Sequence, residues 1–113
     1  MDPTDYTTVV SHYRIRDGKL DSFIELLGRR WITHRDLELA TDTPPQYFVD
    51  DQQPVDPSLV IEIFEWSSPS AVARAHTHPA VSTMWEQMNE MFAVADDKPH
   101  REHFTVRTLA VAH

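Results

Sequence analysis

The sequence predicts an α+β fold of the split βαβ, ferredoxin-like type: β–α–β–β–α–β, with helices on one face of a four-stranded antiparallel sheet. Three observations carry this reading. Four segments are apolar or alternating at strand length, two stretches between them hold apolar residues at helical spacing, and turn residues punctuate the junctions. With 113 residues, 41% of them apolar and 25% charged, the chain has the size and composition of one globular domain spanning 1–113.

Thr7 to Ile15, rich in β-branched and aromatic residues, reads as the first strand, and residues 1–6 ahead of it as a flexible tail. Asp17-Gly18 breaks the strand, with Asp17 as the expected helix N-cap. Leu20, Phe23, Ile24, Leu27 and Trp31 then share one stripe of an amphipathic helix of about 17 residues that ends near Arg35. Gly28 lies inside that helix, where it is expected to allow a close approach to the sheet. After Pro44-Pro45, Gln46 to Asp50 reads as a short edge strand, and Asp50 to Pro57 as a surface loop.

Residues 59–66 form the clearest strand. Its two faces, Leu59/Ile61/Ile63 and Val60/Phe64/Trp66, are both apolar, so both are expected to be covered. Ser68-Pro69 starts a short helix with Val72, Ala75 and His76 on one face. Pro79 interrupts it and restarts a second helix in which Val81, Met84, Trp85, Met88, Met91 and Phe92 keep helical spacing. Ala95 to Arg101 is a polar loop, and Glu102 to Ala112 alternates as the last strand. The apolar sheet face left over on the side away from the helices predicts an interface, met most simply by a homodimer packed sheet against sheet.

Composition excludes several function classes. Without cysteine there are no disulfides, thiolate zinc sites or Cys nucleophile. Eighteen acidic against ten basic residues give a net charge of −8, which argues against nucleic acid and anionic membranes as partners. The apolar runs are too short for a membrane span and the acidic start is unlike a signal peptide, so a cytoplasmic location is expected. The only glycines are Gly18 and Gly28; no glycine-rich cradle for flavin, nicotinamide or phosphate exists, and no cofactor is expected. Chemistry is left to carboxylates, aromatic side chains and seven histidines.

The run Glu62-Ile63-Phe64-Glu65-Trp66, the Ser/Pro helix start, Ala75-His76-Thr77-His78-Pro79 and the Trp-containing helix after it resemble the antibiotic biosynthesis monooxygenase superfamily. The Asp17-Gly18-Lys19 turn and the helix after it match the family's usual start, and the resemblance covers roughly residues 7–110. It implies a dimeric α/β barrel of two ferredoxin-like protomers, with a pocket between each helix layer and its sheet. It also implies cofactor-independent oxygenase chemistry on a small aromatic, quinol or polyketide-like substrate. The family's haem-degrading branch uses an Asn on the first strand, and this chain has none there.

His76 is the first catalytic candidate: placed towards the sheet, its imidazole can deprotonate a phenol or hydroquinone, and the resulting anion can react with oxygen. Glu62, mid-strand among apolar neighbours, needs a partner. It either orients His76 or acts as base, or it pairs across a dimer with Arg14 or Arg107. His12 on the first strand is a third candidate that can reach either layer. Trp31, Trp66 and Trp85 can enclose an aromatic ligand, with Met84 and Met88 as adaptable wall and His78 at the mouth or capping a helix end. His34 reads as a pocket-edge or helix-end residue. His76 and His78 with Glu62 or His12 lack metal-ligand spacing, so no metal is expected. The alternatives to an oxygenase are a non-catalytic barrel that binds a small hydrophobic ligand, and an isomerase or ring-modifying enzyme on the same scaffold.

Overall fold

The computed structural model describes residues 6–50, 58–93 and 101–110. Among them the elements follow the predicted order: β1 (Thr7–Ile15), α1 (Leu20–Asp36), β2 (Gln46–Val49), β3 (Ser58–Trp66), α2 (Pro69–His76), α3 (Pro79–Met91) and β4 (Arg101–Val106). The strands form one antiparallel sheet in the order β2-β3-β1-β4. The split βαβ arrangement is therefore present. The expected tail over residues 1–5, most of the loop ending at Pro57, and residues 94–100 and 111–113 lie outside the described residues.

Strict alternation sets the two faces of the sheet. Val9, Ser11, Tyr13 and Ile15 of β1, and Ser58, Val60, Glu62, Phe64 and Trp66 of β3, are buried beneath the helices. Leu59, Ile61, Ile63 and Val10 point the other way and are half-covered within one protomer. Further out on that face, Phe48 and Phe104 are exposed, each next to its ladder partner Ile61 or Val10.

The helix layer departs from the sequence reading in instructive places. In α1 the buried stripe is Phe23, Leu26, Leu27, Arg30 and His34, and Ile24 is 54% exposed. The helix is thus rotated from the stripe that hydrophobicity selects, because Arg30 and His34 turn inward to meet groups on the sheet. Asp17 does not cap it; Lys19 occupies the N-cap without a side-chain bond, and Gly18 makes the turn at φ +81°. Nor does Gly28 mark a close approach, since a Cβ there meets nothing within 4 Å. Proline at the start of α2 and of α3 holds as read. The last strand is shorter than expected, ending at Val106.

Two apolar clusters fill the space between sheet and helices. One gathers Val9, Phe64, Trp66, Ala71, Ala75 and Val81 with Leu39 and Ala40, the latter bridged to Trp66. The other gathers Tyr13, Ile15, Phe23, Leu26, Leu27, Val60, Met88 and Phe92. Between them the ladder places Ser11 opposite Glu62, with Arg30 beneath α1. Trp85 packs against both clusters.

Candidate functional site

The polar layer between the two clusters is held by one carboxylate. Glu62 is 0% exposed and Arg30 is 4% exposed. Arg30 donates Nη1 to Glu62 Oε2 at 3.0 Å and Nη2 to Oε1 at 3.1 Å, a two-pronged ion pair. The Tyr13 hydroxyl donates to the same Oε1 at 3.0 Å. Burial opposes the charge on Arg30, but the Glu62 carboxylate more than offsets it and holds the guanidinium cationic. Burial pushes the Tyr13 phenol up to about 12 against the pull of Arg30, with Glu62 adding to the rise, so the phenol stays protonated and keeps donating. The Arg30 guanidinium also lies 4.8 Å from the centre of the Phe64 ring.

The ladder extends this layer sideways. Glu62 on β3, Ser11 on β1 and His103 on β4 are direct cross-strand neighbours on the helix-facing side. Ser11 Oγ and His103 Nδ1 are 2.7 Å apart. Burial first, then the charges of Arg101 and Arg30, hold His103 below the usual histidine range, with Glu62 opposing.

Above this row lies a pocket of about 260 Å³, bounded by β1, β3 and β4 below and by α2 and α3 above. Val9, Phe64, Trp66, Val72, Trp85 and Met88 make its apolar wall. Facing them are Ser11, Tyr13, Arg30 and Glu62, with Arg101, His103 and Thr105 on the exposed β4 side. His76 completes the lining; its ring meets the Trp85 indole edge-on at 4.8 Å.

Of the residues singled out from sequence, the structure brings Glu62, His76, Trp66, Trp85 and Met88 to this pocket and leaves four elsewhere. His12 lies on the opposite sheet face, its ring 5.5 Å from Phe104. His78 caps α3, its Nδ1 accepting from the Ala80 backbone N–H at 3.2 Å. Trp31 packs on the first cluster beneath Arg35, and Met84 is half-buried away from the cavity. His76 itself is exposed at the rim of the pocket and does not point deep into the sheet. Glu62 pairs with Arg30 of its own protomer, and neither orients His76 nor reaches Arg14, whose partner is Glu102.

His34 is fully buried, not at an edge, with Nδ1 on the Arg30 carbonyl at 2.8 Å and its ring against Phe64 and Trp66. Burial and the nearby Arg30 push it down to about 4, so it is neutral, and its Nε2 has no hydrogen-bond partner among the described residues. Sequence reasoning missed Arg30, Tyr13, Ser11 and His103 as site residues. The available signal was Glu62: a carboxylate mid-strand among apolar residues requires a cation, and the helical positions facing it were the place to look.

No family model and no curated protein sequence matches the chain. Solved structures do. A variant of SnoaB, a cofactor-independent oxygenase from Streptomyces nogalater, superposes with a TM-score of 0.69 over 95% of this chain and 96% of its own, at 15% identity. The chain has the fold of the antibiotic biosynthesis monooxygenases. A structure described as an antibiotic biosynthesis monooxygenase gives 0.67 at 15% identity, covering 92% of this chain and 99% of that one. A NIPSNAP family protein from Agrobacterium tumefaciens gives 0.67 at 17% identity, covering 96% and 90%.

Proposed function

We propose that the protein is a cofactor-independent monooxygenase of small aromatic, quinol or polyketide-like substrates, working as a homodimer joined through its sheet faces. The observation that carries this reading is the pocket itself. An aromatic wall of Phe64, Trp66 and Trp85 faces a polar row that includes an imidazole, and a second imidazole stands at the rim. At about 260 Å³ the pocket is smaller than the roughly 300–1,000 Å³ usual for drug-sized ligands, which favours a compact ring system.

The chemistry begins with removal of a proton from a bound phenol or from its keto tautomer. Two imidazoles, His76 and His103, line the pocket and can accept it. Glu62 cannot serve, because both its oxygens are committed to Arg30 and one also to Tyr13. The electron-rich carbanion reduces dioxygen and combines with it to form a peroxide. Cleavage of the O–O bond leaves one oxygen on carbon as a carbonyl and releases the other as water. In sum, R₂CH₂ plus O₂ gives R₂C=O plus H₂O, which balances with no further reductant. The Arg30–Glu62 pair makes the floor of the pocket close to neutral, suiting an uncharged ring.

The test is oxygen uptake by purified protein with a panel of hydroxynaphthalenes and anthrones, and its loss in Trp85→Ala and in the double variant His76→Gln/His103→Gln. A second reading, ligand binding without turnover, is favoured by one observation: the polar groups of the row already have partners, Glu62 with Arg30 and Tyr13, and Ser11 with His103 Nδ1. Binding of the same compounds without oxygen uptake would decide for it.

A further inference from the structure

We propose that Arg101 reads a carboxylate at the β4 side of the pocket, so that the substrate is a hydroxylated aromatic ring system bearing a carboxylic acid. This rests on the oxygenase reading for the reaction and names a substrate class for the same site. The recognition itself needs no turnover.

The charge of the pocket carries the argument. Among the described residues that line it, the arginine and carboxylate side chains are Arg30, Glu62 and Arg101. Arg30 and Glu62 bind each other through two bonds of 3.0 and 3.1 Å and leave no net charge on the floor. Arg101 is then the unbalanced charge of the site, a cation at the side of a pocket in a chain of net charge −8. An acidic surface repels an approaching anion elsewhere, and a cation beside a low-dielectric apolar wall gives it one favoured place to settle.

The ladder puts Arg101 where this is possible. Its partner on β1 is Tyr13, buried beneath the helices, so Arg101 stands on the same helix-facing side of β4. From there it reaches α3, donating Nη1 to Asn89 Oδ1 at 3.4 Å. That long bond to a neutral amide leaves most of the guanidinium's donors open, and no carboxylate among the described residues pairs with it. Arg14, by contrast, is closed off by Glu102 at 3.3 Å. A planar guanidinium fits the two oxygens of a carboxylate. One unbalanced charge also matches one carboxylate, whereas a phosphate monoester would bring about −1.5 to −2. The reacting phenol is not this anion, because it must enter with the proton it is to lose. The ring lies against Phe64, Trp66 and Trp85, and Arg101 acts as a specificity-determining residue at its far end.

The experiment compares 6-hydroxy-2-naphthoate with its methyl ester by isothermal titration calorimetry on the full-length protein, without oxygen and at pH 8, above the ordinary histidine range. The wild type is expected to bind the acid about three- to tenfold more tightly than the ester, as one exposed charge-assisted contact allows. Each probe should displace the other from one shared site. Arg101→Gln should abolish the preference and leave the ester's affinity unchanged. Arg29→Gln makes the same change in net charge at an exposed position of α1 paired with Glu25, and should keep the preference. Equal binding of acid and ester, separate sites for the two, or no binding of either at millimolar concentration overturns the proposal. So does a preference that survives Arg101→Gln, or one lost equally in Arg29→Gln. If the acid is preferred through Arg101 and no hydroxynaphthalene consumes oxygen, the oxygenase reading fails and this inference stands. If acid and ester are oxygenated with equal kcat/KM, the oxygenase reading stands and this inference fails.

Discussion

Glu62 has no contact with solvent, and its charge is tolerated because Arg30 grips both oxygens and Tyr13 shares one. Removing one member of such a pair leaves the other charged and buried, at a cost of about 3–5 kcal/mol. Glu62→Ala should therefore lower unfolding stability in urea by that order, and Arg30→Met in the Glu62→Leu background should restore much of it. His34 makes a second prediction. Its folded value of about 4 lies below the unfolded value of about 6.5. Its contribution is therefore fully present above pH 6.5 and is lost as pH falls towards 4, on the order of 3 kcal/mol in all. Urea midpoints across that range should fall less steeply in His34→Leu than in the wild type. At this scale the sequence singled out the anomaly, Glu62, but not its partner. Arginine on an amphipathic helix is assigned to the solvent side by hydrophobicity alone, and only the fold brings positions 30 and 62 together.

At the scale of elements, legibility followed periodicity. The two-residue alternation of β1 and β3 reports burial directly, and both strands lie where the pattern puts them. Proline at the start of α2 and α3 was equally plain, because the ring fits a first helical turn and not a later one. Helix α1 was legible in extent and in most of its facing, with Phe23 and Leu27 buried and Leu20 and Trp31 packed on the clusters, but Ile24 is exposed and the inward stripe runs on to Arg30 and His34. Gly28 sits on the open side of the helix with nothing near its missing Cβ. Gly28→Ala should therefore raise stability by about 0.5–1 kcal/mol through helix propensity, seen as a higher thermal midpoint. The site's polar row was hidden for a different reason. Ser11 and His103 are separated by most of the chain, and only the β1–β4 register makes them neighbours.

For the molecule as a whole, the apolar outer face and the helix-side pocket lie on opposite sides of the sheet. Ile61, Ile63, Val10 and the exposed Phe48 and Phe104 make an apolar surface suited to a second copy of the same sheet. If two copies pair through this face as proposed, the wild type should sediment as a dimer at micromolar concentration and Ile61→Glu as a monomer. The pocket opens on the other face, so in that reading dimerisation leaves it accessible. His12, a catalytic candidate when only its strand was known, belongs by its placement to this outer face. The central claim is that a proton leaves a bound aromatic in the helix-side pocket and oxygen takes its place on carbon. Turnover of the hydroxynaphthalene and anthrone panel under ¹⁸O₂, read by mass spectrometry of product, tests it most directly. The account predicts one ¹⁸O atom in each product molecule and loss of that signal in Trp85→Ala. Product formed without label, or no turnover of any compound that binds, would contradict it.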